Sequence, residues 1–136
     1  MTSFNLNSLN DKDKFALFYG IMLGDGCLSQ YKPKDRNERF AIVITGGLKD
    51  DREFFEHILV PLLKSFGRRS VTIKERKSCG AIEINFPDKN LFERVKSHGF
   101  PIGKKGPKLI IPKYFYAFLP MAFISIVFIF LCSIYM

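Results

Sequence analysis

Hydrophobic positions follow two rhythms that alternate along the chain. Near the start, Phe15, Phe18, Ile21 and Met22 recur at helical spacing. Asn10–Asp11 offers an N-cap, Asp11 and Asp13 suit a helix N-terminus, and Gly26 ends the run. The spacing therefore predicts a helix over KFALFYGIMLGDG. A second helical run, LKDDREFFEHILVPLLKSFG, is clearer still. Phe54, Phe55, Ile58, Leu59, Leu62, Leu63 and Phe66 form one apolar stripe, and Asp50, Asp51 and Glu53 complement the dipole. Pro61 should kink this helix, and Gly67 should stop it. A third, short helix over DKNLFERVKSHG closes at Gly99.

Between the helices the period changes to two. CLSQY reads as a short strand, and the loop KPKDRNE follows with Pro33 and several turn formers. RFAIVIT places Phe40, Ile42 and Ile44 on one face and Arg39, Ala41, Val43 and Thr45 on the other, with Gly46–Gly47 expected to break it. A second hairpin pairs RRSVTIKERK with AIEINF around the turn SCG. The basic loop PIGKKGPKLIIPK comes after the third helix.

The element order is helix, two strands, helix, two strands, helix. This predicts one α+β domain over residues 1–113, a four-stranded antiparallel sheet with the helices on one face. The other face would carry Ser29, Tyr31, Arg39, Thr72, Lys74, Arg76, Glu83 and Asn85. Such a face is polar and basic, which suits an anionic partner better than a core.

Charge sharpens that expectation. The chain of 136 residues carries a formal net charge of +8, pointing to nucleic acid or a membrane surface. Lys64 to Lys77 holds six basic residues against one acidic, Glu75. Cys27, Cys79 and Cys132 are far apart, with no CxxC, which argues against a zinc site or a disulfide framework and for a reducing compartment. His57 and His98 are isolated and read as surface or helix-end residues. Residues 1–14 carry no apolar leader segment.

The stretch that carries chemistry is FYGIMLGDGCLS, residues 18–29. Gly20 and Gly24 lie four apart on one helical face, where a second helix can approach closely. Asp25 follows at the helix end. Two such helices in contact would bring two Asp25 carboxylates together, and paired carboxylates can hold divalent cations that hydrolyse a phosphodiester.

FYGIMLGDG resembles the motif of the LAGLIDADG homing endonucleases. Gly20 matches its first glycine, Asp25 its metal-binding acid and Gly26 its last glycine, while Leu23 stands where the consensus has its first Asp. Residues 11–99 resemble the family's repeating unit, and KKGPKLIIP resembles its basic turn. The resemblance implies a site-specific, metal-dependent endonuclease acting on double-stranded DNA as a homodimer. Its metal site would be Asp25 with Gly24 beside it, Mg2+ the natural ion, and Gly20 and Gly24 the dimer helix. Lys104, Lys105 and Lys108 are candidates to support transition-state charge, with Lys105 and Lys108 taken as catalytic. The strands would lie in the DNA major groove. Ser29, Tyr31, Lys32, Lys34, Arg36, Asn37 and Arg39 would contact it from the first hairpin. From the second, the contacts would be Arg68, Arg69, Thr72, Lys74, Arg76, Lys77, Glu83 and Asn85. Where many members place a Gln or similar polar group, this chain has Thr45–Gly46–Gly47, which leaves room for a non-cleaving relative such as a splicing maturase or DNA-binding regulator. A cytoplasmic or organellar location (mitochondrion or chloroplast) follows from the resemblance.

Residues 114–136, YFYAFLPMAFISIVFIFLCSIYM, carry no charge. This hydrophobic C-terminal segment reads as a helix, and three origins compete. It is long enough for a membrane anchor, with Lys108 and Lys113 before it. It could equally be a buried helix kinked at Pro120, or a degenerate continuation of a two-motif ancestor. A basic protein anchored on anionic lipid is the corresponding rival function.

Overall fold

The computed structural model of the chain describes residues 6–103. After a helical turn at Leu6–Ser8, helix α1 runs Asp11–Asp25. It starts where predicted, because the Asn10 side chain accepts a 2.8 Å hydrogen bond from the Asp13 N–H, satisfying one of the orphan donors of the first turn. Strands β1 (Gly26–Tyr31) and β2 (Arg39–Gly47) follow as a hairpin. Helix α2 comprises Arg52–Phe54, a widened π-turn over Phe55–Leu59, and Val60–Ser65. Strands β3 (Lys74–Arg76) and β4 (Ala81–Pro87) form the second hairpin, and helix α3 (Lys89–Ser97) ends the unit.

The four strands make one antiparallel sheet in the order β1-β2-β4-β3. Each hairpin thus puts its longer strand in the centre. Leu28, Ile42, Ile44, Ile82, Ile84 and Phe86 project from one face into a core shared with Phe15, Phe18, Tyr19, Phe55, Leu59, Leu62, Phe92 and Val95 from the helices. Each fully buried Phe contributes about 2–3 kcal/mol from removed apolar surface. Helix α1 is packed from two sides. Phe18 meets Phe66 edge to face at 5.6 Å, and the Tyr19 hydroxyl donates to the His98 carbonyl oxygen. The Arg94 guanidinium lies 3.9 Å over the Phe15 ring.

Several expectations need correction. Gly46–Gly47 does not break β2: Gly46 pairs with Ile82 and Gly47 with Ala81. The strand expected over residues 68–77 is only Lys74–Arg76, so Arg68, Arg69 and Thr72 lie on irregular chain. Lys77 belongs to the helical turn Lys77–Cys79, which Gly80 closes at φ 63°. Pro61 perturbs α2 by widening it. Lacking an N–H, Pro61 cannot bond the His57 carbonyl, and Val60 N–H reaches back to Phe55 instead. Helix α1 is not amphipathic but buried all round, every residue from Phe15 to Gly24.

The chain after α3 returns beside β1, where Ile102 bridges Leu28 in parallel and Gly103 N–H donates to the Leu28 carbonyl at 2.8 Å. Lys104, Lys105, Lys108 and the segment 114–136 lie outside the described residues. No helix among the described residues is long and apolar enough to cross a membrane.

Candidate functional site

Strand alternation gives the sheet a second face, away from the helices. It carries Cys27, Ser29 and Tyr31 from β1, Arg39, Ala41, Val43 and Thr45 from β2, Lys74 and Arg76 from β3, and Ala81, Glu83 and Asn85 from β4. The register arranges these in rows across the strands. Tyr31 faces Arg39, and Cys27, Val43 and Asn85 align. Thr45, Glu83 and Lys74 make a third row. Arg39, Lys74, Arg76, Tyr31 and Asn85 are exposed, while Ala41 and Val43 give the middle a small apolar floor.

Lys32, Lys34, Arg36 and Asn37 are exposed in the turn between β1 and β2. Together they add three cations to the end of the β1–β2 hairpin. Arg69, Thr72 and Lys77 are exposed as well, but on irregular chain and the β3–β4 turn rather than on a strand. Arg68 leaves the set. Its guanidinium lies 4.3 Å over the core residue Phe86, pairs with Asp88 at 3.6 Å and donates to the Pro87 carbonyl. A side chain so engaged ties β4 to the start of α3 and does not face the polar side.

Glu83 occupies the centre of the face and is only 6% exposed. A lone buried carboxylate is costly, so it needs compensation. Arg76 Nη2 donates to Glu83 Oε2 at 2.7 Å, and Asn85 Nδ2 donates to Glu83 Oε1 at 3.4 Å. On the opposite side of β3, Glu75 bonds Arg52, with Glu56 alongside. The Glu75 hydrogen bond raises the Arg52 pKa above its ordinary value, with desolvation opposing and Glu56 assisting.

Asp25 ends α1 at one margin of this face, half-buried. The turn behind it is tight. A Cβ on Gly26 would come within 2.7 Å of the Met22 backbone, so only glycine lets the chain leave the helix for β1 at this point. Gly26 pairs with Ile44, so the chain enters the ladder directly after Asp25. Thr45 is exposed beside Glu83 and was absent from the sequence-derived contacts, because its cross-strand neighbour became visible only through the β2–β4 register.

Gly20 and Gly24 are both buried within the single chain. Among the described residues no group of three or more His, Cys, Asp or Glu side chains gathers to hold a metal ion. Asp25 offers a single carboxylate, and a divalent cation there would need further oxygen ligands.

This architecture is the LAGLIDADG homing-endonuclease fold, an αββαββα unit with a four-stranded antiparallel sheet. The likeness is to solved structures of I-DmoI. One is in complex with DNA and Mn, at 19% identity and a TM-score of 0.53, covering 65% of this chain and 50% of that one. Another is in complex with DNA and Ca, at 19% identity and a TM-score of 0.54, covering 65% and 47% respectively. The LAGLIDADG meganuclease I-AabMI matches at 16% identity and a TM-score of 0.41, over 64% of this chain and 29% of that one. The chain spans about half the length of the I-DmoI structures. No family profile and no curated protein matches it.

Proposed function

We propose that this protein is a DNA endonuclease of the LAGLIDADG type, hydrolysing duplex DNA with a divalent cation held at Asp25. The observation that carries the reading is a polar, largely basic sheet face with an acidic helix end at its margin. The I-DmoI structures, solved with DNA and Mn or Ca, support the same partner and cofactor class for this fold.

Arg39, Lys74 and the Lys32–Arg36 turn would hold phosphates, and the side chains between them would meet base edges. Asp25, and Gly24 through its backbone, would hold Mg2+ where the turn at Gly26 fixes them. Such an ion would activate water and stabilise a leaving oxygen of the phosphodiester. Asp25 supplies one carboxylate, and a second copy of the chain would supply another acidic helix. Pairing through Gly20 and Gly24 would make a homodimer with a near-palindromic target. Both glycines are buried, so that pairing would need them to become accessible. Lys105 and Lys108 are the candidates to meet transition-state charge.

The test is plasmid nicking with Mg2+ by the wild type and by Asp25→Asn. The variant should lose cleavage by at least a hundredfold and keep DNA affinity within a few-fold, since the lost charge holds metal rather than DNA. Equal cleavage by the variant overturns the assignment.

A second reading is a DNA-binding relative that does not cut. The burial of Gly20 and Gly24, and Gly46–Gly47 beside Thr45 in place of a longer polar side chain, favour it. Tight binding by the wild type without nicking at any Mg2+ or Mn2+ concentration would select it.

A further inference from the structure

We propose that Glu83 is a positioning residue: it fixes the Arg76 guanidinium for bidentate contact with a guanine, so that one base pair of the target is read as G·C. The inference rests on the reading above, that the polar face of the sheet meets DNA.

Glu83 is the one buried charged residue among the described residues. It sits on the face that should carry positive charge toward phosphates, where an exposed carboxylate would repel them. Both of its oxygens are already engaged, one by Arg76 Nη2 and one by Asn85 Nδ2. Glu83 is therefore poorly placed to accept from a cytosine amino group itself. Its effect passes through its partners.

Arg76 is the opposite case, since its side chain is 62% exposed although one nitrogen is pinned. An arginine has five N–H donors in a rigid plane, and the salt bridge uses only part of them. The free edge of the fork matches guanine O6 and N7 in the major groove. A phosphate contact needs charge but no fixed plane, and Lys74, facing Glu83 from the same strand, can provide it. Holding the plane from below by a buried carboxylate lowers the freedom lost on binding and favours the one orientation that reads a base edge. Arg76 is also the last residue of β3, at the turn Lys77–Gly80.

The experiment is selection of binding sites from a random-sequence duplex library, using the full chain with EDTA present so that no cleavage occurs. Wild type, Glu83→Gln and Arg76→Lys are compared. The wild type should select a site with at least one strongly preferred G·C pair. Arg76→Lys should lower discrimination at one such position about tenfold and leave the others alone. Glu83→Gln should relax the same position without changing the salt dependence of affinity, because no phosphate contact is lost. A uniform loss across all positions in Glu83→Gln, with G·C preference kept in Arg76→Lys, would mean the ion pair serves only the fold and overturns the proposal. Arg76 is exposed, so its variant stays informative if Glu83→Gln unfolds. Failure of the wild type to bind any duplex overturns the reading of the face, and this inference with it, and is a distinct result from binding with unaltered preference.

Discussion

Gly46 is held where a side chain has no room. A Cβ there would stand 2.9 Å from Asp51 Oδ2 and 2.9 Å from the Phe55 ring. Neither neighbour can yield freely. Asp51 Oδ2 is accepting a 2.6 Å hydrogen bond from Gly47 N–H, and Phe55 is buried. Strand β2 thus passes beneath the start of α2 at a distance only glycine permits. Gly46→Ala should lower unfolding stability by ~1–3 kcal/mol through overpacking. Urea titration reads this directly, and an unchanged midpoint would show that the junction has slack. The same crowding leaves no room for a polar side chain at Gly46, where it would collide with α2.

At the scale of elements, the β4–α3 junction joins two functions in Asp88. Its Oδ1 caps α3 by accepting from Leu91 N–H at 3.0 Å, while Oδ2 pairs with Arg68. Arg68 Nε is buried without a partner, so this guanidinium already depends on Asp88, Pro87 and the Phe86 ring. Asp88→Ala should cost about 1–2 kcal/mol from the cap, with a further loss from the stranded Arg68. Asp88→Asn keeps a good cap and should cost less. Matching losses in the two variants, by thermal or urea unfolding, would show that the ion pair rather than the cap governs the junction. Helix α2 illustrates a related rule. Its apolar stripe was legible, but the π-turn over Phe55–Leu59 was not, because a proline can kink, break or widen a helix and the packing around it selects the outcome.

For the whole molecule, the relevant quantity is how many cations meet phosphate together. Arg39 and Lys74 are exposed on the same face as the Asp25 margin. Arg39→Ala and Lys74→Ala should each weaken binding to all duplex sequences alike and reduce the slope of log affinity against log salt by about 1. Arg76→Lys should leave that slope nearly unchanged, which separates base reading from phosphate holding. Fluorescence anisotropy across a salt series makes the comparison, and identical slopes for wild type and Arg39→Ala would place Arg39 off the DNA path.

The local order of the chain was set by sequence alone. Hydrophobic period, caps at Asn10 and Asp88, and stops at Gly67 and Gly99 define helix and strand through interactions within a few residues. So does the placing of Asp25 at a helix end, because Gly26 is adjacent to it. Tertiary structure decided what depends on residues far apart in the chain. The register sets Thr45 beside Glu83, Arg76 is tied to Glu83, Arg68 turns back to Phe86, and Gly20 and Gly24 are buried. Alternation tells which positions share a face, but not which neighbour lies across the strand or which cation a buried carboxylate will claim. Those choices are made by packing and desolvation over the whole domain, and no window of sequence contains them.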